Sequence, residues 1–402
     1  MKRKANQLFV SFLAAIMALS MLSMDLQAAE NDYAQQSQAE SSFEEIYKAT
    51  GDYIASQGTP DVGSAGGEWM VIGLARSGRE VSEGYYNNVV QYVKEYINEK
   101  EQLHKTKSTD NSRVILALTA LGLDVTNVDG HNLLQGLNDM TYIKKQGING
   151  PIWALIAFDS YDYEISGGDA TRDSLISYIL DKKLPGGGWT LFGSNADPDM
   201  TAMALQALAP YYNEREDVKS AVDAALLRLS EMQTSTGGYG SWGTANAESC
   251  AQVIVALTAL GINPQTDVRF VKDGYSVLDA LLSFYVDGGF CHVMGGKLNT
   301  MATEQGYYAL VSYARLKDGK TSLYDMSDLK SSTGEGVTPP NEDTQKPNNN
   351  NQDNQTTKPS ENNNKVQSPK TGDFSNITIY LCFVMLSLSE FALIVKYNRK
   401  ER

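Results

Sequence analysis

Cysteine and histidine are scarce in this chain of 402 residues, with three of each. Cys250, Cys291 and Cys382 stand far apart with no CxxC spacing, and His104, His131 and His292 are scattered. No spacing among them resembles a zinc site, so no metal is expected. Whether Cys250 and Cys291 pair is left open by sequence alone. Positive charge is also short: 34 basic against 48 acidic residues give a net charge of −14. A nucleic-acid partner would need a basic face to replace counterions, and none is visible. The alternation that marks strands is nearly absent as well.

Long apolar runs are confined to the two ends. Lys2, Arg3 and Lys4 precede an apolar stretch from Leu8 to Leu22, with Ala28 and Ala29 after it. That order is expected of a secretory signal peptide over residues 1–29. At the other end stand Ser368-Pro369-Lys370-Thr371-Gly372, an apolar run over 377–395, and the basic tail from Lys396 to Arg402. The run is about the minimum length for a membrane helix, and the basic tail resists translocation. This three-part order resembles a Gram-positive cell-wall sorting signal. The pentapeptide is similar to the LPxTG sortase motif, with Ser368 in place of Leu. The resemblance implies cleavage between Thr371 and Gly372 by a sortase and attachment to peptidoglycan through Thr371. The alternative is a plain C-terminal membrane anchor, for which Glu390 within the span would be costly. Without both ends, 27 basic and 44 acidic residues remain. From residue 331 to 367 the chain is Asn, Gln, Pro, Thr and Lys with almost no large apolar residue. It reads as a flexible wall linker, with an r.m.s. span of roughly 35 Å on coil statistics.

The part expected to fold is residues 41–330, and it contains an internal repeat. Segments rich in Ala, Leu and other apolar residues recur at Val114–Gly122, Thr201–Leu208, Val253–Gly261 and Gly306–Val311, with weaker copies near Glu68 and Pro151. They are apolar on nearly all sides, which marks buried helices. More polar segments lie between them, about Phe43–Ser56, Tyr85–Glu99, Leu133–Lys145, Thr171–Lys182, Val218–Met232 and Tyr275–Tyr285. In Val218–Met232, Val222, Ala225, Leu226 and Leu229 make one apolar stripe. A helix apolar on one face sits outside; one apolar all round sits inside. Six such pairs predict an all-α fold, an α6/α6 toroid of six helical hairpins. A linear solenoid of hairpins is the alternative.

The outer-to-inner connections share glycines followed by an aromatic ring: Gly186-Gly187-Gly188-Trp189, Gly237-Gly238-Tyr239-Gly240-Ser241-Trp242 and Gly288-Gly289-Phe290. With Gln233 the second reads Gln-x3-Gly-x-Tyr. This resembles the QW motif of squalene and oxidosqualene cyclases. The whole unit is similar to the prenyltransferase and squalene-oxidase repeat, found also in the helical domain of the cobalamin carriers intrinsic factor and transcobalamin. The resemblance implies an α/α toroid and leaves the activity open. Trp189, Tyr239, Trp242 and Phe290 are expected to wedge neighbouring repeats together, or to line a ligand-binding rim to which Asp197, Asp199, Glu248 and Glu304 add polarity.

Asp197-Pro198-Asp199-Met200-Thr201-Ala202 resembles the Asp-x-Asp-Asp-Thr-Ala run of class II terpene cyclases, which supplies a protonating carboxyl. Asp197 and Asp199 match its first and central Asp, and Met200 replaces the third. The simpler expectation is a helix cap. A protein-prenyltransferase zinc set is lacking, because Cys291-His292 stands alone. Ala302-Thr303-Glu304-Gln305 lacks the Cys of a complement-type thioester. The cobalamin carriers clamp a corrinoid against a second β domain that this sequence lacks, so no cofactor is expected, with a corrinoid kept only as one candidate ligand. Three readings follow: a cell-surface binding module for a small molecule, glycan or peptide; a terpene-cyclase-like enzyme using Asp199 as general acid; or a structural spacer.

Overall fold

The structure, a computed structural model, describes residues 42–331. The expected signal peptide, the linker beyond residue 331, and the sorting sequence Ser368–Gly372 with its apolar run 377–395 lie outside the described residues. Within them the chain is helical apart from two hairpins of two-residue strands. The helices are α1 (42–55), α2 (Glu68–Arg76), α3 (Gly84–Tyr96), α4 (Ser108–Ala120), α5 (Met140–Ile143) and α6 (Asn149–Asp159). They continue as α7 (Arg172–Asp181), α8 (Pro198–Leu208), α9 (Glu216–Met232), α10 (Ala247–Ala259), α11 (Val277–Leu282) and α12 (Thr300–Lys317). None of them is long and apolar enough to cross a membrane.

The alternation read from the sequence holds. In α3 only Tyr85, Val89 and Val93 are buried, one stripe at helical spacing. In α9 the stripe is Val218, Ala221, Val222, Ala225, Leu226 and Leu229. By contrast α10 is buried from Ala247 to Thr258 except at Glu248, and α4 is buried except at Arg113. A helix with no solvent face must be surrounded. Here α2, α4, α6, α8, α10 and α12 each pack on the next, and α12 packs back on α2. The one-faced helices α7, α9 and α11 pack on α6, α8 and α10 respectively.

Side-chain bonds fix the directions. Gln252 Nε2 of α10 donates to Gln305 Oε1 of α12 (3.0 Å), and one to two turns further on the hydroxyls of Thr258 and Ser312 meet at 2.6 Å. The two helices therefore run the same way. The starts of α2 and α12 meet through Gly66 N–H to Glu304 Oε1 (2.7 Å), and their ends through Arg315 Nη1 to the Arg76 carbonyl (3.1 Å).

Two expected helices are shorter or broken. Leu133–Lys145 divides into a 3-10 turn over Leu133–Leu137, then α5, then a second turn over Lys144–Gln146. Asp139 breaks the run by capping α5, accepting from the N–H groups of Thr141 and Tyr142. Tyr275–Tyr285 keeps only Val277–Leu282 as helix, started by a Ser276–Asp279 capping box. Its flanks are the hairpins: β1 (Val271–Lys272) pairs with β2 (Tyr275–Ser276), and β3 (Tyr285–Val286) with β4 (Gly289–Phe290). Cys250 and Cys291 are both buried and free.

Gly237 shows why the turns need glycine. Its φ is +76°, and a Cβ would lie 2.3 Å from the Ser276 carbonyl oxygen. Gly237→Ala is expected to destabilise the fold by at least about 2 kcal/mol, from left-handed backbone strain and overpacking together. A denaturant midpoint equal to that of the parent chain would contradict this.

Candidate functional site

The three glycine–aromatic turns are built alike. Each ring residue is tied by its backbone to the cap of the next inner helix. Asp197, Asn246 and Asn299 donate their N–H groups to the carbonyls of Trp189, Tyr239 and Phe290 at 2.8, 3.0 and 2.9 Å. The same three residues cap α8, α10 and α12 with their side chains. Four residues past each cap, Thr201 and Thr303 turn a hydroxyl back to accept from Trp189 N–H (3.0 Å) and Phe290 N–H (2.9 Å). Those hydroxyls leave no room for a side chain before the ring: a Cβ on Gly289 would lie 2.5 Å from Thr303 Oγ1. In the middle turn Cys250 takes the threonine's place, and burial pushes its thiol up to about 12, which favours the neutral thiol.

Trp189, Tyr239 and Phe290 are each 0% exposed, and of the two roles expected for them the wedge between repeats is the one that burial suits. The turns are closely covered: Gly187 lies against Ala224 of α9, Gly237 against Ser276 and Gly288 against Tyr53 of α1, and Trp189 Nε1 donates to the Ile179 carbonyl at 2.7 Å. Trp242 lies in the short turn Ser241–Gly243, and its side chain is outside what the structure describes. Asp197 is a helix cap, accepting from Met200 N–H at 2.9 Å.

The expected acidic residues do gather at the starts of the inner helices. Asp199 sits in the first turn of α8, largely buried, and its pKa is raised to about 6. Burial is the main cause; the Ser249 hydroxyl opposes it, and the carboxylates of Asp197 and Glu248 add to it. Asp199 Oδ1 and Ser241 Oγ are buried with no hydrogen-bond partner among the described residues. Glu248, in the first turn of α10, holds the exposed His292 through Nδ1 at 2.8 Å.

Glu304 is 3% exposed. Its Oε1 accepts from Gly66 N–H, whereas Oε2 is buried and unpartnered. Burial raises it to about 8; the Gly66 bond opposes this, and neighbouring Glu68 adds to it. Glu68 is itself fully enclosed at the start of α2, where Arg113 Nε reaches its Oε2 at 3.0 Å and Asp110 flanks Arg113 at 3.1 Å. Glu68 and Arg113 were not legible as site residues. The available signal was an arginine and an acid placed within otherwise apolar helices.

Aromatic rings from several inner helices and the segment after α12 meet one another. Trp69 of α2 meets Trp153 of α6 at 5.0 Å and Tyr308 of α12 at 5.9 Å, and Trp153 meets Tyr324 at 5.8 Å. Since α2 and α6 are not successive in the cycle, the tryptophan pair reaches across it. Among the described residues no group of His, Cys, Asp and Glu is placed to hold a metal ion.

Glu304 carries a pH prediction. In the folded chain it keeps its proton from its ordinary value of 4.5 up to about 8, so the folded state binds more protons in that window and stability falls as pH rises through it. Glu304→Gln should flatten that decline, by a few kcal/mol between those limits. Parallel stability–pH curves for the two proteins over that window would refute the assignment. A scan of the chain against protein-family models finds no match, and a search of curated proteins finds no relative.

Proposed function

We propose that the folded part is a closed α6/α6 toroid serving as a binding module on an exported, wall-anchored protein, with its ligand at the mouth where the inner helices begin. The contact cycle from α2 through α12 and back supports closure over an open solenoid. One observation carries the binding reading: two buried carboxyls at the same end, Asp199 and Glu304, each keep an oxygen without a partner. Such groups cost free energy in the folded state until something donates to them. Asp110, Glu248 and Glu68 surround them, and the inner helix starts are already complemented by their own acids. The ligand is therefore a donor: a cationic peptide group or a hydroxyl-rich glycan. A corrinoid fits less well, because its flat macrocycle would want exposed aromatic surface, and the buried turn rings supply none.

The acid-catalyst reading draws on Asp199, whose raised pKa suits a proton donor. Against it, a cyclase must enclose a long apolar chain, and the rings of Trp69, Trp153, Tyr308 and Tyr324 pack on one another among the inner helices. Asp199→Asn should leave any activity on polyprenyl substrates unchanged at zero. Turnover that vanishes in the variant would reverse the order of the two readings.

For binding, a thermal-shift screen of the chain against cationic peptides and glycans should find a stabilising ligand. Asp199→Asn with Glu304→Gln should weaken it about tenfold or more, the usual effect of losing charged acceptors. A cationic ligand should also bind more tightly as pH rises from about 6 to about 8, because both carboxyls then ionise. Failure of every ligand class leaves the spacer reading. Wall attachment has a separate check: Thr371→Ala should move the protein from the wall fraction to membrane or medium, and unchanged fractionation would end that part of the proposal.

A further inference from the structure

At the opposite end of the inner helices, the segment after α12 folds back across their last turns and is bolted down. Arg76 Nη1 bonds Asp328 Oδ1 at 2.9 Å and Arg76 Nη2 the Asp325 carbonyl at 2.8 Å, while Arg315 Nη2 bonds Asp328 Oδ2 at 2.8 Å. Further along this strap, Met326 N–H donates to the Ser160 carbonyl at 2.7 Å, joining it to the end of α6. Beneath lies a cavity of about 470 Å³. Its walls are the C-terminal turns of α6, α8 and α10, the Tyr211 turn after α8, and Leu323 and Tyr324 of the strap. That volume is within the range of sites that enclose small ligands.

Two wall residues carry unused polar atoms. Gln206 is 5% exposed; its Nε2 donates to Gln252, but its Oε1 has no partner. Tyr324 is 8% exposed, and its hydroxyl also has none. The charged lining is mostly acidic, with Asp159, Asp162, Glu214 and Asp325, and Tyr211, Ser322 and Ser327 add neutral hydroxyls. Arg172 is the cation among the lining residues, and it is spent on Asp159 Oδ1 (2.7 Å) and the Phe158 and Tyr163 carbonyls. An anion finds nothing to hold it there. A ligand with several O–H donors finds acceptors among these lining residues, with Tyr211 and Tyr324 adding aromatic surface.

We propose that this cavity is a second binding site, distinct from the mouth, for a hydroxyl-rich small molecule without negative charge, of one- or two-ring sugar size, held by Gln206 Oε1 and the Tyr324 hydroxyl under the strap. The site is independent of the mouth reading, since none of its wall residues belongs to the acidic cluster around Asp199 and Glu304.

The experiment is calorimetric titration and thermal shift of the whole chain with glucose, maltose, glucosamine and glucuronate. A neutral or amino sugar should bind, and glucuronate about tenfold more weakly or not at all. Tyr324→Phe removes one oxygen and no volume. It should leave the ligand-free melting temperature equal or higher while weakening the sugar about fivefold. Gln206→Met should also weaken it. No binding by any of the sugars, or Tyr324→Phe binding as tightly as the parent, would overturn the proposal. So would a loss of sugar binding in Asp199→Asn with Tyr324→Phe unaffected, because the ligand would then sit at the mouth.

Discussion

Everything in this fold depends on α12 meeting α2. These helices are separated by most of the folded chain, yet both are buried along most of their length. Their contact is sealed by polar bonds at both ends: Gly66 to Glu304 where they begin, Arg315 to Arg76 where they finish. Between those seals the inner helices enclose one another. The outer helices then need only a single apolar stripe, and their sequences carry no more than that.

The direction of the inner helices also decides where polarity can go. Helices packed pointing one way collect their free N–H groups at one end and their free carbonyls at the other. Acids gather at the first end: Glu68, Asp110, Asp199 and Glu248 all lie in first turns. At the second end Arg315 donates to the Arg76 carbonyl in the last turn of α2, Arg76 donates to carbonyls of the strap, and Asp328 balances both charges. The two ends are thus chemically unlike, one short of hydrogen-bond donors and the other closed by a guanidinium pair. Burial of Glu304 and Asp199 beyond what capping requires is the feature that capping alone does not explain.

Much of the helical order was legible, because it rests on periodicity. The buried set of α9 and the all-round burial of α10 follow directly from the residues between 218 and 258. The cap at Asp197 was legible too, since it precedes an apolar run and does cap it, and Asn246 and Asn299 play the same part in α10 and α12. What could not be read was the third dimension of the turns. A glycine pair before an aromatic residue says that the chain bends, not whether the ring swings outward or tucks under its neighbour. The threonine that pulls Trp189 and Phe290 inward lies a full loop away from each, and no local pattern links the two. Likewise Leu133–Lys145 has helical composition throughout, but Asp139 offers its backbone a better bond than helix continuation would.

The strap has a mechanical meaning. Asp328, gripped by Arg76 and Arg315, stands three residues before 331, the last described residue. Tension applied downstream would enter the domain through that carboxylate and be shared between the first inner helix and the last.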